Sequence, residues 1–468
     1  MSALYTLSFF LLAAPASESV PPLESHPELY TVAWTEPGGS SLNSMPLGNG
    51  DIGINVWVED NGDILFYIGK TDAWSGNGRL LKLGRVRVSM NAPAEAGKTA
   101  PPRQTLYAHR GVCEINRGED ANGVLTRIWV DAHYPAVRVE ITGGQDIPLR
   151  VTLETWRDEP RNLLEVERHS AYGLINSGEP IQVAADTLVE DTGNAILWYH
   201  ANARSIYPMT LEQQGMGHWI EDHADPLLNR VFGGLISGDS LVRKDAKTLE
   251  AANPARRHAF AVYALTTESK PESAWRNDIE ALRDNDSRDW GTLYGRHTAS
   301  WKAFWSRSWI RVYAGESAMS AKLEELTRAY NLQRYMSACA GRGDFPIKFN
   351  GSIFNVDAVV EGQAVDADYR RWGGPYWFQN TRLMYWPMLA SGDYDLMAPL
   401  FEMYRDMLPF AKARTRAYYD HAGAFFPETQ NFWGAYAMDN YGWQRGDMPV
   451  GLPENRYIIA WQSLRAAW

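Results

Sequence analysis

The chain has 468 residues, 45% apolar and 22% charged, with glycine and proline scattered through it, which is an ordinary globular composition. That length sets two or three folding units and leaves no reason to expect disorder. With 45 Lys and Arg against 56 Asp and Glu, the net charge of -11 repels a phosphate backbone, and no basic stripe offsets it. Nucleic acid is thereby excluded as an expected partner.

At the N-terminus an apolar run from Leu4 to Ala14 leads into Ala14-Pro15-Ala16, the small-x-small form of a signal peptidase site. This predicts a signal peptide over residues 1–16 and a secreted or periplasmic protein. Before the run only the α-amino group is charged. No later stretch is long and apolar enough to span a bilayer, so no membrane association is expected.

Residues 25–270 read as an N-terminal antiparallel β-sandwich. Ile64, Phe66 and Ile68, then Val86, Val88 and Met90, then Val137, Val139 and Ile141 alternate with polar residues, the period of half-buried strands. Asp60-Asn61-Gly62-Asp63 between two such runs marks a hairpin turn that needs positive φ. Many strands without interleaved helices indicate a sandwich.

Residues 271–319 read as a helical linker, with Trp275, Ile279 and Leu282, then Leu293, His297, Trp301, Phe304 and Trp305 at helical spacing. Ser308 to Tyr313 alternates again and predicts a strand returning to the sandwich. From Ser320 the chain is helical. Leu323, Leu326, Tyr330, Gln333 and Met336 form one predicted stripe, and Leu396, Leu400, Met403, Met407, Phe410 and Arg414 a second. Gly343 to Asp357 lies between them as a loop, and Asp393 and Asp395 suit the cap of the second helix.

Cys113 and Cys339 are the only cysteines, one in each half, and read as two separate buried thiols. Neither a metal site nor a cofactor site is expected: no His-Glu-x-x-His helix and no G-x-S-x-G elbow occurs. Gly48-Asn49-Gly50-Asp51-Ile52-Gly53 satisfies G-x-G-x-x-G, but SSLNSMPL precedes it and the alternating INVWVED follows where the fingerprint needs a helix, so it reads as a Gly-rich turn between strands and not as a dinucleotide site.

The densest clue lies between Arg371 and Pro387, where six aromatic residues surround Asn380, Arg371 and Arg382. Flat rings stack on the C–H face of a sugar while amide and guanidinium groups bind its hydroxyls. Trp372, Trp377, Arg382, Tyr385, Trp386 and Trp433 are the candidate substrate-binding residues, and the expected partner is an oligo- or polysaccharide. Glu428, in AFFPETQNFWG between two aromatic pairs, is the candidate general acid, because rings raise the cost of the charged carboxylate. Asp368 and Asn380 are the further catalytic candidates, the latter to orient water or a hydroxyl.

With these residues in view, the chain resembles the α-L-fucosidase and α-L-galactosidase family of inverting glycoside hydrolases, family 95. Met45-Pro46-Leu47-Gly48-Asn49-Gly50-Asp51-Ile52-Gly53, followed by Asp72-Ala73-Trp74-Ser75-Gly76, is similar to that family's sandwich motifs. Gln379-Asn380-Thr381-Arg382-Leu383-Met384-Tyr385-Trp386-Pro387 is similar to its I-N-T-Q-M-N-Y-W-P helix. The resemblance implies a supersandwich-like N-terminal domain followed by an (α/α)6 barrel. The family sets two Asn two residues apart to hold water and base, and here Phe378 stands at the first position. Twelve helices need on the order of 180 residues, whereas residues 320–468 provide 149, so an incomplete barrel is expected, its acid and base falling partly beyond Trp468.

The function expected from the sequence is that of an inverting glycoside hydrolase acting on polysaccharide or glycan side chains. The alternatives are a carbohydrate-binding protein without turnover and, last, a lyase, for which only His421 lies near the aromatic region.

Overall fold

A computed structural model describes residues 30–90, 102–118, 122–268, 271–286, 289–312 and 319–436. The expected signal peptide and the stretch after residue 436 lie outside these residues.

Two antiparallel sheets form the N-terminal part. The nine-stranded sheet runs in the order Thr31–Trp34, Arg103–Tyr107, Val112–Arg117, Val124–Val130, Ala136–Ile147, Ala255–Thr267, Val231–Ser237, Ala195–Ala201, Thr187–Val189. The seven-stranded sheet runs Leu241–Arg243, Thr248–Ala251, Arg150–Glu154, Leu80–Ser89, Ile64–Trp74, Ile52–Val58, Met45–Gly48. The alternating residues Ile64, Phe66, Ile68, Val86, Val88, Val137, Val139 and Ile141 are all buried between the sheets, as their period requires. At the expected turn Gly62 takes φ +87°, and the Asn61 side chain accepts the Asp63 N–H at 2.8 Å.

One expectation of half-buried strands fails: every residue of Ile64–Trp74 is buried. The outer face of that strand is covered as well, with Trp57, Leu65 and Tyr67 packed under Trp156 and Ala367. A cover arriving from about 90 and about 300 residues away leaves no trace in local periodicity.

Between strands, Tyr207–Gln213 forms the short helix α1 with Pro208 in its first turn. Helices α2 (Glu272–Asp284) and α3 (Trp290–Arg307) fill the predicted linker. Asp289 caps α3 by accepting the Thr292 N–H at 3.1 Å. α2 buries Trp275 and Ile279 against the nine-stranded sheet, where the Trp275 indole donates to Leu265 O at 3.0 Å. α3 buries Leu293, His297, Trp301, Phe304 and Trp305, and burial of an aliphatic or Phe side chain contributes about 1.5–3 kcal/mol.

The predicted return strand does not form. Residues 308–312 pair with no strand, and the Val312 N–H donates instead to Thr327 Oγ1 at 2.8 Å.

The helical part holds α4 (Ser320–Ala338), α5 (Phe378–Ser391) and α6 (Ala398–Tyr419). The predicted α6 stripe is buried as expected. The α4 stripe is corrected: Leu326 is 58% exposed, and Thr327, Asn331, Arg334, Tyr335 and Ala338 are buried in its place. Specific bonds compensate this polar face. Arg334 grips both Asp393 oxygens at 2.6 and 2.8 Å, and Asn331 donates to Ile310 O at 3.3 Å. Asp393 therefore makes no side-chain cap; it is buried in this ion pair, while Asp395 pairs with Arg342 at 3.0 Å and with Arg307.

Sandwich and helices share one apolar core, in which Met45 and Leu47 join Tyr335, Ala338 and Met403. The Gly48 to Asp51 segment is the turn between Met45–Gly48 and Ile52–Val58. It also seats the end of α4: Gly50 N–H donates to Cys339 O at 3.0 Å, and Arg342 and Gly343 N–H both donate to Gly50 O at 2.9 Å. A Cβ at Gly48 would lie 2.3 Å from Cys339 O, so only glycine permits this approach. Cys113 and Cys339 are free, buried thiols.

Candidate functional site

The aromatic segment enters α5 through a two-residue strand. Tyr376 and Trp377 pair antiparallel with Gln430 and Thr429, and the Phe378 N–H donates to Glu428 O at 2.8 Å. This small ladder brings Glu428 to the first residue of the helix that carries Asn380, fifty residues earlier in sequence. α5 then runs to Gly392, whose φ of +72° lets its N–H close on Met388 O.

The expected site residues divide by depth. Trp372 is 40% and Trp386 43% exposed, and Asn380 is exposed beside them in sequence. Trp377, Arg382 and Glu428 are half-buried. Each exposed indole has a guanidinium over it, Arg371 at 5.0 Å from the Trp372 ring and Arg382 at 4.9 Å from Trp386. Trp377 packs between Tyr172 at 4.9 Å and Phe349 at 5.5 Å.

Three expected site residues belong to the interior instead. Tyr385 is 1% exposed, its hydroxyl accepts the Ile347 N–H at 2.8 Å, and burial pushes its phenol above the usual range. Trp433 is buried against Phe432 at 5.0 Å and Tyr207 at 6.3 Å. Asp368 is fully engaged: Oδ1 accepts the Lys82 N–H at 2.8 Å, and Oδ2 accepts Trp156 Nε1 at 2.7 Å and Arg157 Nη1 at 2.6 Å. Burial alone would raise its pKa, but Arg157, Arg79 and Lys82 outweigh that and hold it at about 2. A carboxylate so held cannot deliver a proton near neutral pH, and its place is the seam between sandwich and helical part. Asp366 serves the same seam, paired with Arg79 at 3.1 Å and Arg161 at 2.8 Å.

Residues beside the site had no sequence signal. Tyr172 reaches Trp377 from the sandwich, about two hundred positions away. Lys348 is buried behind the segment, with Nζ donating to Gly374 O at 2.8 Å and Pro375 O at 2.5 Å. Burial first, then the neighbouring Arg370, lowers its pKa. His421 is exposed and turned to its own backbone, with Nδ1 at 2.7 Å from Ala422 O. Among the described residues no group of three or more His, Cys, Asp or Glu could hold a metal ion, and no helix is long and apolar enough to cross a membrane.

This architecture agrees with what known proteins show. Residues 33–310, more than half of the chain, match the family described as "Domain of unknown function (DUF5703)", and the chain belongs to that family. No curated protein matches it in sequence. Among solved structures, a putative kojibiose phosphorylase from human microbiome superposes with a TM-score of 0.50 at 11% identity, over 88% of this chain and 53% of that one. A bacterial glucoamylase complexed with acarbose gives a TM-score of 0.37 at 9% identity, over 87% and 54%. The chain spans about half the length of each. The phosphorylase likeness is one of fold: a large antiparallel sandwich followed by helices.

Proposed function

We propose that this chain is part of a carbohydrate-active enzyme, an inverting glycoside hydrolase similar to family 95 that acts on polysaccharide or glycan side chains outside the cytoplasm. One observation carries this reading: the Phe378 N–H to Glu428 O bond sets Glu428 at the start of α5, the helix that carries Asn380 and the exposed indole of Trp386. Glu428 is the proposed acid toward the glycosidic oxygen, Asn380 the group that orients water or a hydroxyl, and Trp372, Trp377, Arg382 and Trp386 the sugar-binding surface. In an inverting reaction a second carboxylate, about 6.5–9.5 Å from the acid, activates the attacking water.

A second reading has its own observation. Where family 95 places an asparagine that holds water, Phe378 meets Tyr404 edge to face at 5.8 Å, and Tyr404 meets Phe426 in the same way at 5.0 Å. An apolar aromatic cluster there favours a carbohydrate-binding protein without turnover. The two separate by proton NMR of anomeric signals while the full-length gene product is incubated with branched polysaccharides. Release of the inverted anomer supports the hydrolase; binding measured by calorimetry with no released sugar supports the second reading; neither sugar release nor binding overturns both.

A further inference from the structure

Trp372 has φ +57°, a left-handed backbone that a bulky side chain adopts at a cost of about 1–3 kcal/mol. Glycine would take the same conformation freely. Burial does not repay the strain, since the indole is 40% exposed.

Hydrogen bonds hold the turn. The Asn350 side-chain amide donates to Arg371 O at 2.8 Å and to Trp372 O at 3.3 Å. Asn350 is itself tied down, its carbonyl accepting Arg370 Nη1 at 2.6 Å. From the sandwich, Gly373 N–H donates to His169 O at 3.2 Å and Tyr172 N–H donates to Gly373 O at 3.3 Å. A Cβ at Gly373 would lie 2.4 Å from Ser170 O, so the turn cannot slide along this contact. The chain thus keeps a strained residue, over-determined on both sides, whose effect is to present an indole to solvent.

We propose that Asn350 is a positioning residue for a saccharide-stacking face carried by Trp372, the outermost contact for a polysaccharide chain crossing the site. This rests on the carbohydrate reading above. The Arg371 guanidinium lies over the ring, and the 40% of Trp372 that remains exposed offers apolar surface to the C–H face of a pyranose. Asn350 touches no sugar; it acts through the backbone of residues 371 and 372.

The test is affinity electrophoresis of the full chain in gels containing soluble xyloglucan, arabinogalactan or dextran, alongside thermal melting. Retardation by at least one polysaccharide is expected for the parent, with a loss of fivefold or more in Trp372→Ala and a smaller loss in Asn350→Ala. The double variant should bind no worse than Trp372→Ala alone, since both changes remove one contact. Trp372→Gly should melt above Trp372→Ala while binding as poorly. A parent that no gel retards overturns the carbohydrate reading and this inference with it. A retarded parent matched by Trp372→Ala overturns the inference alone. Asn350→Ala binding like the parent, or a double variant clearly weaker than Trp372→Ala, removes the positioning role.

Discussion

The Phe378 N–H and the Glu428 carbonyl oxygen lie 2.8 Å apart, so the backbone of Glu428 ties the aromatic loop to α5. A change confined to the side chain leaves this bond in place. Glu428→Gln, which keeps this bond and nearly the same side-chain volume, should lower the melting temperature by no more than a few degrees, a change of about 1 kcal/mol or less. It should lower the rate of sugar release by the full-length gene product by about 10²–10⁴, the usual contribution of a general acid. Initial rates of reducing-sugar release check this; an unchanged rate removes Glu428 from the mechanism.

Asp368 predicts an acid transition. Its folded pKa of about 2 lies below the value near 3.9 of an unfolded aspartate, so its stabilisation is complete above pH ~4 and is lost as pH falls toward 2. Asp368→Asn leaves Arg157, also bonded to Asp186 at 2.8 Å, with a buried charge only partly compensated. The expected cost is about 3–5 kcal/mol at neutral pH. Urea denaturation across pH 2–7 should show the loss, together with a flatter slope between pH 4 and 2.

His297 acts in a higher window. It is buried in α3, with Nε2 3.1 Å from Gly111 O, and burial lowers its pKa to about 4. The unfolded chain takes up this proton near pH 6.5 while the folded chain does not until about 4, so stability falls as pH drops through that interval. The contribution is on the order of 3 kcal/mol by the size of the shift. His297→Leu should flatten the urea midpoint between pH 6.5 and 4, and an unchanged profile would mean that the ring titrates normally.

Gly48 separates packing from propensity. Gly48→Ala drives a methyl into Cys339 O and should cost about 1–3 kcal/mol or more. Gly295→Ala, inside α3 with nothing within 4 Å of the new Cβ, should be neutral or stabilising by up to about 1 kcal/mol. Paired melting curves decide it: if both variants melt alike, the Gly48 contact carries no weight.

The legible parts of this molecule were those written in local pattern. Ile64, Phe66 and Ile68 announced a strand, Gly62 a turn, and the α6 stripe a buried helical face, because each depends on residues within one or two turns of itself. The buried face of α4 was illegible for the opposite reason. Thr327, Asn331 and Arg334 are polar, and they go inside only because Val312, Ile310 and Asp393 wait there. The candidate site divides the same way. Exposed Trp372 and Trp386 fit the aromatic reading, whereas Tyr385, Trp433 and Asp368 look identical in sequence and proved to be interior. Tyr172 had no signal at all, since its partner Trp377 lies on the far side of the chain.

The three hydrogen bonds at Gly50 bear on how this protein can be taken apart. The family match stops at residue 310, yet Gly50 takes its partners from Cys339, Arg342 and Gly343. A fragment ending at 310 would leave that loop unpaired and strip the cover from Met45 and Leu47. The stretch recognisable by descent is thus shorter than the stretch that folds, and neither part is a portable module: a chimera or expression fragment must carry the glycine turn together with the end of α4.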